Sequence, residues 1–233
     1  MSQIAVIPAR GGSKRISRKN IRQFHGKPII AYAIEECFKS ELFSRIIVST
    51  DDTEIALVAE KFGAEAFLRV DPMNSADTAP VISVVKELIS LERLAFESES
   101  ICCVFPCTPL LTHNSLVSSF NILKKNEVDF VFPVFNPGLP IARSLYITPD
   151  GYVEMRNRDF RNTTTNLISE SLFDAGQYYW AKTKTWIESE SILGGTNMPY
   201  LIDRLSAVDI DNEEDWLLAE ILFAKQNEGE RNV

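Results

Sequence analysis

Two short stretches of this 233-residue chain hold residues whose types and spacing could do chemistry. The first is Pro8-Ala9-Arg10-Gly11-Gly12-Ser13-Lys14-Arg15. Paired glycines let backbone N–H groups approach an anion, Ser13 can donate, and Arg10 and Lys14 supply charge, which is the physics of a phosphate cradle. The stretch is neither a GxxxxGK[ST] loop nor GxGxxG, so the usual ATP and dinucleotide readings lose support. A tight turn with solvated lysines is the plainer alternative, and charge distribution tells against it. Residues 1–27 hold seven basic side chains and no Asp or Glu, whereas the rest of the chain carries 17 basic and 32 acidic groups. An acidic protein with its positive charge gathered in one segment focuses an anion there.

The second stretch is Val208-Asp209-Ile210-Asp211. Read as part of a strand over 205–210, it sends Asp209 and Asp211 to one face and Val208 and Ile210 into the core. Two adjacent carboxylates repel unless a cation lies between them, and hard oxygen donors suit Mg²⁺. Asp211 followed by Asn-Glu-Glu also reads as a capping box starting the last helix, which leaves Asp209 unexplained. Asp51-Asp52 could hold a metal, but the residues that follow make helix capping their expected task. In Asp174-Ala-Gly-Gln-Tyr-Tyr-Trp the three adjacent aromatics read most simply as core and strand surface, and Gln177 before them offers a hydrogen-bonding head for a polyhydroxy ligand. His25 and His113 fit no catalytic or metal spacing and read as surface or turn residues.

These residues need elements to bring them together. IAVI at 4–7 stops at Pro8 and reads as a buried parallel strand running into a loop. After the Gly26-Lys27-Pro28 turn, apolar residues at helical spacing predict a helix to Phe38. RIIVST at 45–50 is a second strand, and Thr53 to Phe62 a helix closed by Gly63. A helix over 79–94, a strand at 101–105, a helix over 114–125 and a strand at 129–134 follow. This alternation predicts one α/β domain over 1–233 with a mainly parallel, Rossmann-like sheet flanked by helices. Ligands in such sheets bind at the carboxyl ends of the strands, which gathers Arg10–Lys14, Asp51 and Thr108. From about 135 to 172 loop signals and short strands predict an antiparallel insertion, a lid or an oligomer contact. QYYWAK, the strand at 205–210 and a helix over 212–226 complete the chain.

IPARGGSK with Lys19-Asn20 after it, STDD after the second strand, Asp77-Thr78-Ala79, and VDID near the end together resemble the cytidylyltransferases of nonulosonic (sialic-acid-like) sugars. The resemblance runs along nearly the whole chain in order. Arg15 and DAGQYYW look most like the pseudaminic acid branch. It implies a nucleotide-diphosphosugar transferase-like fold and a homodimer whose inserted segment reaches the partner's site. Arg10, Gly11, Gly12, Ser13, Lys14, Lys19 and Asn20 would hold the triphosphate of CTP, with Asp77, Thr78 and Ala79 near the nucleoside. Arg10, Lys14, Asp209 and Asp211 would be the catalytic set, with Mg²⁺ on the two aspartates. Arg143, Gln177 and Tyr178 would face the sugar. The implied reaction joins CTP to the acid sugar for surface glycan synthesis. The chain departs from the family at Phe173, Ser17, Phe105 and the NTTTN loop, leaving the sugar carboxylate to Arg143, Arg156, Arg158 or Arg161.

Other classes fit less well. A net charge of −8 argues against nucleic acid as a partner. No apolar run approaches the length of a membrane helix, and the first residues read straight into a strand, so a cytoplasmic protein is expected. Cys37, Cys102, Cys103 and Cys107 match no zinc or redox spacing and read as buried thiols. The same reaction on N-acetylneuraminic or legionaminic acid is the nearest alternative. A non-catalytic nucleotide-binding module is the alternative of another class, and intact Lys14, Asp209 and Asp211 speak against it. The missing GxGxxG weakens a Rossmann oxidoreductase.

Overall fold

A computed structural model describes residues 2–76, 78–96 and 98–230. Strand β1 (Ser2–Pro8) runs into a long loop carrying the two-residue pair β2 (Gln23–Phe24) and β3 (Lys27–Pro28) before α1 (Ile30–Lys39). Next come β4 (Phe43–Thr50), α2 (Thr53–Lys61), β5 (Glu65–Leu68), α3 (Val81–Leu91), β6 (Ser98–Val104), α4 (His113–Lys125) and β7 (Phe130–Phe135). The insertion contributes a hairpin of β8 (Leu145–Ile147) and β9 (Val153–Met155), paired only with each other among the described residues. The chain returns through β10 (Phe173–Asp174), β11 (Tyr178–Lys182), α5 (Thr183–Glu188), β12 (Asn197–Leu201) and α6 (Glu213–Glu230).

β1 lies at the centre, parallel to β4 and β6, with β5 parallel to β4 at one edge. β11 is antiparallel to β6 and β7, and β12 runs parallel to β7. Alternation along the strands builds a core on each face. Ala5 and Ile7 pack with Val48, Cys102 and Trp180 beneath α1, α2 and α4. Ile4 and Val6 pack with Ile101, Cys103 and Tyr179 beneath α3 and α5. Both faces of the sheet are therefore covered, as parallel strands require.

A third apolar cluster sets up the site. Ile16 and Phe24 from the loop after β1 meet Val208, Ile210 and Trp216 from the chain's end. All five are buried, so this cluster clamps the last segment against the basic loop.

The strand expected at 205–210 does not form. Arg204–Ser206 is instead a single 3₁₀ turn, capped when Asp203 Oδ1 accepts the Leu205 N–H at 2.8 Å. Two carbonyls of the segment are met by side chains rather than by a neighbouring strand: Gln177 Nε2 donates to Ser206 O at 2.6 Å, and Lys19 Nζ to Ile210 O at 2.6 Å. The inward–outward alternation survives in this extended segment, because Val208 and Ile210 still anchor it in the core.

Candidate active site

A cleft of about 580 Å³ opens where the loop after β1 faces the segment before α6. That size suits a small-molecule site. One wall carries Arg10, Ser13, Lys14, Arg15 and Lys19, and the other carries Asp209 and Asp211.

The loop after β1 is held from two sides. Asn20, 5% exposed, donates from Nδ2 to Arg10 O at 2.8 Å, and its Oδ1 accepts from the Cys107 thiol at 3.1 Å. Across the loop, the Gly11 N–H donates to Asp51 Oδ1 at 2.7 Å. A Cβ on Gly11 would lie 2.5 Å from Asp52 Oδ2, so only glycine lets the two segments approach. Asp52 also caps α2, accepting from the N–H groups of Glu54 (2.9 Å) and Ile55 (3.1 Å). Arg18, held left-handed at φ 53°, bonds Asp52 and Glu54. The Arg18 hydrogen bond holds the Asp52 carboxyl below its ordinary range. The Asp51-Asp52 pair thus shapes the loop, and the Gly11 N–H is committed to a protein carboxylate. Gly12 is exposed, with open space where a Cβ would stand.

On the opposite wall, α6 is capped by Asn212, not by Asp211. Asn212 Oδ1 accepts from the N–H groups of Glu214 (2.8 Å) and Asp215 (3.0 Å), and Asp215 Oδ2 reaches back to the N–H groups of Asp211 and Asn212. This capping box lies one residue further along than the sequence reading placed it, and it leaves the Asp211 side chain for the cleft. There Asp211 Oδ1 meets Arg15 at 2.8 Å, with Lys19 Nζ at 3.9 Å. Desolvation raises the Asp209 carboxyl above its ordinary range, and the negative charge of Asp211 adds to the rise while Lys19 opposes it. Gly176, with φ 61°, sits where a Cβ would be 3.4 Å from Asp209 Cγ.

Two neighbouring carboxylates facing a basic wall form a donor set that fits Mg²⁺. Such an ion takes one or two carboxylates and completes its shell with water and substrate phosphate oxygens. Among the described residues no group of three or more His, Cys, Asp or Glu stands close enough to hold a metal unaided.

The cleft does not gather every residue singled out from sequence. Gln177 is 3% exposed and spends its amide on Ser206 O, and Tyr178 is fully buried with its hydroxyl 2.6 Å from Ser119 Oγ and 3.0 Å from Ser115 O. Neither reaches the cleft, because strand alternation turns Tyr178 into the α4 side of the core. Ala79 lines the cleft, Thr78 is exposed beside it, and Asp77 lies outside the described residues. Arg143 stands on an exposed turn of the insertion, away from the cleft lining, its Nη1 3.4 Å from Thr165 Oγ1.

Sequence reasoning missed Arg69 and Asn74. Arg69 follows β5, a strand too short to be noticed, and a cation at the carboxyl end of a parallel strand is the signal that could have found it. Burial draws its guanidinium below the ordinary value, although Asp51 and Glu87 oppose this. Asn74 sits in a 3₁₀ turn, Pro72–Ser75, that no periodicity announces. The four cysteines are free and buried. Desolvation pushes the Cys107 thiol up to about 12.

Comparison with known proteins gives this arrangement its context. A family model described as cytidylyltransferase matches residues 4–193. The chain is 34% identical over 229 residues to a pseudaminic acid cytidylyltransferase of Campylobacter jejuni, covering 98% of this chain and 99% of that protein. It is 28% identical to a CMP-N,N'-diacetyllegionaminic acid synthase of Campylobacter jejuni, covering 96% of each. A solved CMP:2-keto-3-deoxy-manno-octonic acid synthetase complexed with CTP has a similar fold, with a TM-score of 0.72 at 14% identity over 97% of this chain and all of that one. With the family model spanning most of the sequence and a relative aligned end to end, the chain belongs to the cytidylyltransferase family.

Proposed function

We propose that this enzyme transfers a cytidylyl group from CTP to pseudaminic acid, working with Mg²⁺ as a cytoplasmic homodimer. The observation that carries the reading is the opposition of Asp209 and Asp211 to the Arg10–Lys14 wall across one cleft, in a chain related end to end to a pseudaminic acid cytidylyltransferase. In the reaction the sugar's anomeric hydroxyl attacks the α-phosphorus of CTP. A new P–O bond forms, the α–β bridging P–O bond breaks, pyrophosphate leaves and the hydroxyl proton is released.

Such chemistry asks the protein for position and charge neutralisation. Arg10, Ser13 and Lys14 bind the triphosphate, and Lys19 and Asn20 hold the wall behind it. Asp209 and Asp211 would hold Mg²⁺, which supplies Lewis-acid polarisation of the α-phosphate when bound. Arg15, now paired with Asp211, would turn to the triphosphate as the nucleotide enters. The insertion exposes the apolar side chains of Leu139, Ile141, Ile147 and Tyr152, which supports a dimer in which Arg143 serves the partner's cleft. Four unpaired thiols suit a reducing compartment.

Pyrophosphate release with CTP, Mg²⁺ and, separately, pseudaminic, N-acetylneuraminic and legionaminic acids tests the reading. Turnover with pseudaminic acid alone is expected. Turnover only with another sugar keeps the chemistry and overturns the sugar. Silence with all three, with CTP binding indifferent to EDTA, favours a nucleotide-binding module.

A further inference from the structure

Glu87 lies on α3 outside the cleft lining, yet it holds one of the cleft's walls. Residues 69–76 leave β5 and carry Arg69, Asn74 and Ala76 onto that lining. The Arg69 N–H still reaches Thr50 O of β4 at 2.8 Å, but past it the N–H groups of Val70 and Asp71 meet no strand carbonyl and need another acceptor. One carboxylate meets them. Glu87 Oε1 accepts from the N–H groups of Val70 (3.1 Å) and Asp71 (2.8 Å), and Oε2 accepts from Asn74 Nδ2 at 2.7 Å.

Asn74 is 7% exposed, and its Oδ1 accepts from Ser83 Oγ at 2.7 Å, so both ends of its amide are tied to α3. Arg69 ties the same stretch to β4. Its Nε and Nη2 reach Ser49 Oγ (3.1 Å) and Ser49 O (3.0 Å), and Nη1 reaches Asn74 O at 2.7 Å. The stretch is thus anchored to two elements, and Glu87 alone supplies three of those anchors.

We infer that Glu87 is a positioning residue for nucleotide recognition: it holds 69–76 in place so that the wall carrying Arg69, Asn74 and Ala76 is formed before the nucleotide arrives. The inference rests on the proposed use of CTP, and it adds the element that orders the nucleoside side of the cleft, next to Ala79. A wall ordered in advance spares binding the cost of ordering it, and polar groups held in place reject a base that cannot match them. Loss of Glu87 therefore weakens and blurs nucleotide binding while the Lys14 and Asp209 side of the cleft keeps its geometry.

The test compares wild type, Glu87→Ala and Glu87→Gln by CTP and UTP titration and by steady-state kinetics. Glutamine keeps one oxygen for the Val70 and Asp71 N–H groups. For Glu87→Ala the Kd and KM for CTP are expected to rise about tenfold, for Glu87→Gln less than about threefold, with kcat and the sugar KM within about twofold in both. The preference for CTP over UTP narrows in Glu87→Ala. A purely structural role would instead lower stability and kcat and leave the KM for CTP alone, and that result overturns the inference. Should Glu87→Ala not fold, Glu87→Asp decides, because its shorter side chain withdraws the carboxylate from the Val70 and Asp71 N–H groups: a raised KM for CTP at unchanged kcat supports the inference, and an unchanged KM overturns it. Failure of the wild type to bind CTP overturns the proposed function and this inference with it. A wild type that binds CTP beside a Glu87→Ala protein of equal affinity overturns this inference alone.

Discussion

Gly11 shows how much one position can carry. Its N–H is held by Asp51, its missing Cβ makes room for Asp52, and Asp52 in turn caps α2 and pairs with Arg18. A methyl group there must displace the carboxylate. Gly11→Ala is expected to lower turnover at least about tenfold and to weaken α2 by the loss of a cap, about 1 kcal/mol, read by urea unfolding. Lys14 and Asp211 act differently, because both stand on the cleft lining, Lys14 exposed and Asp211 half-buried. Lys14→Ala and Asp211→Ala are each expected to cut pyrophosphate release by about 100-fold or more with the melting temperature unchanged. Substantial residual activity in either would move the site elsewhere.

Among the elements, α6 separates structure from chemistry within two neighbouring residues. Asn212 caps the helix and Asp211 faces Arg15. Asn212→Ala should therefore cost about 1 kcal/mol of stability while leaving the KM for CTP unchanged. Asp211→Ala should do the reverse, and equal effects on stability from both substitutions would refute this division of labour. The insertion is an element with little core of its own: β8 and β9 are mostly exposed and expose Leu145, Ile147 and Val153. Sedimentation at twice the mass of one chain, lost on replacing Ile147 and Tyr152 by Asp, is the expected outcome if the insertion joins two copies. A monomer at high concentration would remove the dimer.

For the molecule as a whole, a tie between α1 and α4 contributes to its response to acid. Glu36 on α1 accepts from the His113 N–H at 2.6 Å at the start of α4, stands 3.0 Å from His113 Nδ1, and pairs with Lys39. Burial alone would raise its carboxyl, but Lys39 and His113 outweigh it and hold the group below the ordinary 4.5. A carboxyl depressed in the folded state contributes stability that is present above its unfolded pKa and lost as pH falls through the folded one. The melting temperature should therefore fall more steeply below about pH 4.5 for wild type than for Glu36→Gln. Parallel curves would mean that the tie contributes nothing.

The strand–helix alternation, the basic loop at residues 8–15 and the nearness of Asp209 to Asp211 were legible along the chain. Each depends on local periodicity, on glycine, or on charge counted in one short window. The separate β8–β9 hairpin falls where the strand–helix rhythm of the sequence breaks. The strand at 205–210 was not a strand, because alternation can arise from core anchoring while two of the carbonyls are met by Gln177 and Lys19 from distant segments. Gln177 in isolation, and Tyr178 by family resemblance, look like ligand contacts, and only packing against Ser206 and the α4 serines turns them inward. Arg69, Asn74 and Glu87 were invisible for a related reason. Their hydrogen bonds join residues up to 20 positions apart across β4, β5 and α3. Local sequence carries the period of a strand and the charge of a loop, but which distant side chain satisfies a given backbone group is settled only when the chain is folded.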